Sequence, residues 1–393
     1  MMKGIAMGLS LTMSVNLHGQ KVELPDPLAR PDGGRIESVA EWQKRRPEIL
    51  ELFRTHIYGR APVDRPDSLK FETTTTPGMM EGAATRKQIK ISYTGRGGQG
   101  AINLTLFIPV KPAKPAPCFV LICNRGPRNI DPTRAIKSEF WPAEEIVARG
   151  YAAAAFLVAD VAPDHKDNFK EGVFGIFDPP GPRAADAWGT IAAWAWGASR
   201  VMDYLQTDPD IDARRVAVVG HSRGGKTALW AGAQDERFAL VISNDSGSTG
   251  AALARGKVGE KIKDINKTFP YWFAENYKQY NDRENELPVD QHMLIALIAP
   301  RLLYIASASE DEWADPAAEF MAGVAATPVY RLFGLEGLTM TEVPKPESPL
   351  HEGHIGHHIR TGGHGLTAYD WHRFMDFADK HWGKLSDSNE QKN

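Results

Sequence analysis

Cysteine is nearly absent from this 393-residue chain: only Cys118 and Cys123 occur, both in the run "PCFVLICN". Five positions apart on one strand, their side chains point to opposite faces, so the two cannot pair and read as small core residues. An excess of one charge is also lacking. Lys and Arg number 46 against 49 Asp and Glu, a formal net charge of −3, which leaves no electrostatic footprint for nucleic acid or an anionic membrane surface. Beyond the N-terminus no apolar run is long enough to span a bilayer. A Walker sequence is missing, as is a G-x-G-x-x-G between a strand and a helix, which argues against a nucleotide cofactor. There is no internal repeat.

What is present is a 42% hydrophobic chain, enough for one large core. The first twenty residues carry one lysine, then an apolar stretch, then small and polar residues. That is the layout of a secretory leader, although no A-x-A cleavage pattern follows; the alternative is a frayed tail. Residues 21–385 read as a single catalytic domain and 386–393 as a polar tail. The alternating runs "KQIKISYTG" and "INLTLFIPV" flank "RGGQ" as a hairpin. From residue 118 the apolar runs "CFVLIC", "AAAAFLVA", "RVAVVGHS", "ALVISND" and "LLYIASASED" alternate with segments of helical spacing. This pattern predicts an α/β fold of the α/β-hydrolase kind, a mostly parallel sheet with helices on both faces, whose ligands sit at the carboxyl ends of the strands.

"VAVVGHSRGGKTALW" is an apolar strand, then G-x-S-x-G (Gly220, Ser222, Gly224), then a helix. That is a nucleophile elbow, a strained turn that lifts the serine hydroxyl to a helix N-terminus. Ser222 is therefore the candidate nucleophile. The base should follow late in the chain, and His364 in "RTGGHGLTAYDW" fits, with flanking glycines to let its ring approach. The cluster His351, His354, His357 and His358 in "HEGHIGHHIR" is not H-E-x-x-H and reads as a solvated loop, so no metal is expected. Two acids compete to orient the imidazole. Asp245 ends "ALVISND", and Asp311 lies after the following strand, where most hydrolases of this fold place the acid. Arg223 follows the nucleophile, so its backbone N–H belongs to the oxyanion hole. Lys226 lies one helical turn beyond Ser222 on the same helix face and can donate to a bound substrate.

"GHSRGGK", "NDSGSTG", "KVGEKI", "FPYWFAENY", "LPVDQHMLIALIAPR", "SASEDEWADP" and "TGGHGLTAYDW", in this order, resemble the glucuronoyl esterases of carbohydrate esterase family 15 over residues 100–385. The resemblance implies Ser222 as nucleophile and His364 as base. Fungal members carry the acid as Glu in an E-S-G motif, matching Asp245; several bacterial members also have an acid at the Asp311 position. Asp is shorter than Glu by a methylene, which leaves the acid open, with the larger share expected from Asp245. The fungal disulfide cysteines are missing, so the chain resembles a bacterial member. The family further implies that the Arg223 guanidinium supports the oxyanion, that Glu260 binds sugar hydroxyls and that Trp313 touches the uronate ring. The implied reaction is hydrolysis of esters between (4-O-methyl-)glucuronic acid on glucuronoxylan and lignin-type alcohols. It needs no cofactor and is carried out by a monomer exported to the periplasm or beyond. The rival readings are an acetyl xylan or feruloyl esterase on the same fold, a serine peptidase, or a non-catalytic carbohydrate-binding relative. None of them accounts for Arg223, Lys226, Glu260 and Trp313 together.

Overall fold

The computed structural model describes residues 12–30, 32–111 and 115–383. The expected polar tail and the first eleven residues of the expected leader lie outside the described residues. A hairpin opens the structure, β1 (Thr12–Leu17) against β2 (Gln20–Pro25). The arm that follows comprises β3 (Lys70–Met79), β4 (Ala84–Gly95) and β5 (Gly98–Pro109), all antiparallel. Then come β6 (Ala116–Cys123), β7 (Ala152–Leu157), β8 (Ile211–His221), β9 (Leu240–Asn244), β10 (Leu302–Ala308) and β11 (Ile355–Arg360). Nine of these strands form one sheet in the order β11-β10-β9-β8-β6-β7-β5-β4-β3. It is parallel from β11 to β7, and β5 joins β7 antiparallel.

The continuous apolar strands have helices on each side. On one face the helices Thr190–Leu205, Arg223–Gln234 and Pro316–Leu332 contribute Ile191, Leu229 and Phe320 to a core cluster. On the other, the helices Ala143–Ala148 and Ala368–Trp382 contribute Ile146 and Trp371 to a second cluster. Cys118 belongs to the first cluster and Cys123 to the second, so the two thiols do face opposite sides of β6. No described helix is long and apolar enough to cross a membrane.

Two stretches differ from expectation. Residues 12–17, inside the leader-like segment, form β1, and Val15 and Leu17 are buried. The turn residue His18 hydrogen-bonds Asp315 through Nε2 at 3.0 Å, so the hairpin is fastened to the loop after β10. The histidine cluster is not a solvated loop. Its second half is β11, buried throughout and paired with β10. His357 packs edge-on against Phe320, and burial pushes its pKa down to about 3. His358 bonds Tyr304 and Asp370 from the opposite face. A neutral imidazole is a compact, half-apolar ring that a covered strand can bury.

Candidate active site

At the carboxyl end of β8, Ser222 adopts φ 58°, ψ −124° and caps the helix Arg223–Gln234. A non-glycine residue at positive φ is strained, and the surrounding backbone must hold it there. It does: Ser222 N donates to Asn244 O at 2.8 Å, while Ser222 O accepts from Gly225 N and Lys226 N. The glycines are a steric requirement. A Cβ on Gly220 would lie 1.9 Å from Gly224 O, and one on Gly225 would lie 2.9 Å from the Ser246 Cβ.

His364 stands on the loop after β11, with a ring 44% exposed. It packs against His221, the residue before the nucleophile, with ring centroids 4.5 Å apart and the planes tilted by 48°. His221 is buried and its Nδ1 contacts Asn244 Oδ1 at 2.7 Å. Burial, reinforced by the charge of His364, pushes its pKa down to about 3, so it forms a neutral wall for the ring. The flanking glycines matter less than expected: a Cβ on Gly363 would meet nothing within 4 Å.

The acids separate by environment. His364 Nδ1 contacts Asp311 Oδ2 at 2.6 Å. Burial alone would raise Asp311, but the hydrogen bond from His364 and its charge outweigh it and hold the carboxyl below the usual range. Asp245 Oδ2 instead accepts from Gly365 N at 3.0 Å, and its Oδ1 is buried without a partner. Burial, with the neighbouring Glu319 carboxyl adding to it, pushes Asp245 well above the carboxylate range. Arg360 Nη2 lies 3.8 Å from Asp245, too far to offset that burial; its closer bonds go to Asp370 and to carbonyls of the His364 loop. Of the two candidate acids, Asp311 is the one whose carboxylate contacts the His364 ring, while Asp245 contacts the backbone of the same loop. Asp245, Asp311 and His364 also form the one grouping of three potential metal ligands found among the described residues, with ligand atoms within 4.8 Å. None of His351, His354, His357 and His358 joins it.

The cations flank the elbow. Arg223 lies over the Trp272 ring at 4.8 Å, and its Nη1 hydrogen-bonds Asp164. Its Nε is buried with no partner. Lys226 is buried, and two of its three N–H groups go to Ser246 O and Ser248 O at 2.5 and 2.6 Å. Glu260 Oε2 is 3.8 Å from Lys226 Nζ, so less of the ammonium is left for a sugar than the sequence implied. Glu260 N donates to Trp313 O at 3.0 Å, which ties the two expected sugar contacts together, and Trp313 itself is 58% exposed at the rim. Asp315 caps the helix Pro316–Leu332 through Ala318 N and also accepts from Val258 N.

Sequence reasoning missed three residues. Asn124, just after β6, has a buried Oδ1 without a partner; its place after the strand beside β8 was the available signal. Glu319 joins Ser246, Gly247 and Ser307 beneath the acids, and Asp164 holds Arg223. Neither of these two carries a sequence signal, because their partners are remote in the chain.

The family described as "Glucuronyl esterase, fungi" matches residues 100–334. A carbohydrate esterase from an unknown prokaryotic organism is 41% identical over 391 residues, covering 92% of this chain and 90% of that protein. A 4-O-methyl-glucuronoyl methylesterase from Podospora anserina is 30% identical over 302 residues, covering 74% of this chain and 56% of its own length. Among solved structures, a glucuronoyl esterase from Solibacter usitatus superposes with a TM-score of 0.86 at 40% identity, covering 92% of this chain and 98% of that one.

Proposed function

Because the chain belongs to the glucuronoyl esterases of carbohydrate esterase family 15, a family of carboxylic ester hydrolases, we propose how its site cleaves esters of (4-O-methyl-)glucuronic acid on glucuronoxylan. Ser222 Oγ attacks the uronyl carbonyl carbon while His364 Nε2 takes the hydroxyl proton. The resulting imidazolium is held by its Nδ1–H donating to ionised Asp311. The oxyanion is met by the backbone N–H of Arg223 and, in this fold, by an N–H of the loop after the neighbouring strand, here the segment beginning at Asn124. The unpartnered Nε–H of Arg223 adds a charge-assisted donor for charge that appears only after attack. Collapse breaks the bond to the alcohol, which leaves with the proton from His364. Water then attacks the glucuronoyl-enzyme by the same steps and frees the acid. Glu260 and Trp313 are assigned to the sugar, and Lys226 to holding Glu260 and the 246–248 carbonyls in place. A polymeric substrate supports action outside the cell.

The observation that carries this reading is the 2.6 Å contact between His364 Nδ1 and Asp311 beside the strained serine. Turnover of benzyl glucuronate, p-nitrophenyl acetate and a dipeptide amide tests it. Benzyl glucuronate should be hydrolysed with the highest kcat/KM, and Ser222→Ala should lose all but about 10³-fold to 10⁴-fold over the rate in water. Wild-type turnover in Ser222→Ala would reject the nucleophile, and preference for the acetate would place the sugar on the alcohol side.

A further inference from the structure

Arg223 is the first residue of a helix, yet it is tied to two segments distant in sequence. Asp164, in the loop after β7, accepts from Arg223 Nη1 on Oδ2. Its other oxygen, Oδ1, accepts from Tyr271 OH at 2.7 Å and Trp272 Nε1 at 2.8 Å. Trp272 is also the ring beneath the guanidinium, and it stacks on Phe269 at 3.6 Å between centroids. Each oxygen of the carboxylate thus has a fixed neighbour, and the guanidinium is gripped at one edge and on one face.

We propose that Asp164 is a positioning residue for the reaction, fixing the Arg223 guanidinium so that one edge is used up and the Nε edge stays free for the oxyanion. This rests on the reading of Arg223 given above. Two considerations favour it over a plain ion pair. Exposed ion pairs contribute at most about 1 kcal/mol to stability; this one is partly buried, 29% and 19% exposed, and its carboxylate is further anchored by a buried phenol and an indole, which makes it a fixed clamp rather than a loose surface pair. An anion beside a catalytic cation also weakens its field, so orientation is what the contact can contribute. A free arginine side chain holds about 2 kcal/mol of rotamer entropy; a clamp built into the fold removes it before substrate arrives.

The test is a double-mutant cycle in kcat and KM on benzyl glucuronate. Asp164→Asn should lower kcat about tenfold to a hundredfold, as losing the partner that orients a functional group typically does, with KM within about twofold. In an Arg223→Ala background the same substitution should change kcat by no more than about twofold. An equal loss in both backgrounds, or a KM effect alone, would overturn the clamp. If Arg223→Ala keeps wild-type kcat, the oxyanion reading fails first and the clamp with it. Circular dichroism monitors folding. Should Asp164→Asn unfold, Tyr271→Phe, which removes one donor only, must show the same dependence on Arg223, and a loss independent of Arg223 would equally reject the proposal.

Discussion

At the scale of single residues, the site turns on carboxyls of the same chemistry in unlike surroundings. Asp311 gains a hydrogen bond from His364 that holds its carboxyl below the usual range, whereas Asp245 is sealed near Glu319 and pushed well above it. Carboxylates this close cannot all be charged. Asp245 makes no contact with the imidazole ring that would stabilise its cation; its Oδ2 instead holds Gly365 N and so the loop that carries His364. An asparagine keeps that acceptor. Asp245→Asn should therefore lower kcat by less than about tenfold, whereas Asp311→Asn leaves the imidazole without its anion and should lose about 10⁴-fold. Steady-state kinetics of both variants decides; comparable losses would mean that the two acids share the role after all.

Elements explain what was legible and what was not. The elbow could be read because an apolar strand, glycines at fixed offsets and a helix coincide there, and Gly220 in particular answers to a backbone collision. Gly220→Ala would drive a Cβ to within 1.9 Å of Gly224 O, so the turn must open and Ser222 must move. A displacement of about 1 Å at a reacting atom costs about 10²-fold in rate. We expect that loss in kcat, together with a measurable fall in melting temperature; unchanged kcat would show that the turn tolerates the extra methyl. β11 was not legible because His357 and His358 interrupt an otherwise apolar run, and only the fold reveals that both rings are covered. β1 did carry a signal, the alternation of Met13, Val15 and Leu17, but a leader-like composition masked it. Asp164 sits in the charged loop "APDHKD", where nothing local separates it from a solvated acid; its partners come from residues 223, 271 and 272.

Across the whole molecule, the site places an electrostatic load on the core. Glu319 is fully buried where β9, β10 and the helix Pro316–Leu332 meet, and burial raises its pKa from 4.5 to about 7 despite hydrogen bonds from Ser307, Gly247 and Ser246. Between those two values the unfolded chain has released this proton while the folded chain still holds it. The folded state thus binds more protons there, so this group's contribution to stability falls as pH rises from 4.5 to 7 and is level beyond. The loss is on the order of 3 kcal/mol at one pKa unit per 1.36 kcal/mol. Asp245, raised in the same sense, adds to it, while carboxyls held low by partners, such as Asp311 and Asp370, pull the other way. The wild-type curve sums these opposing contributions, whereas its difference from a single variant isolates Glu319. Glu319→Gln preserves the shape and can still accept from Gly247 N while donating to Ser307. Urea unfolding at pH 5 and pH 8 should show that the variant gains stability relative to wild type on going to the higher pH. A difference between the two proteins that does not change with pH would mean that Glu319 is ionised in the folded state at pH 5, with its charge compensated by the three donors around it.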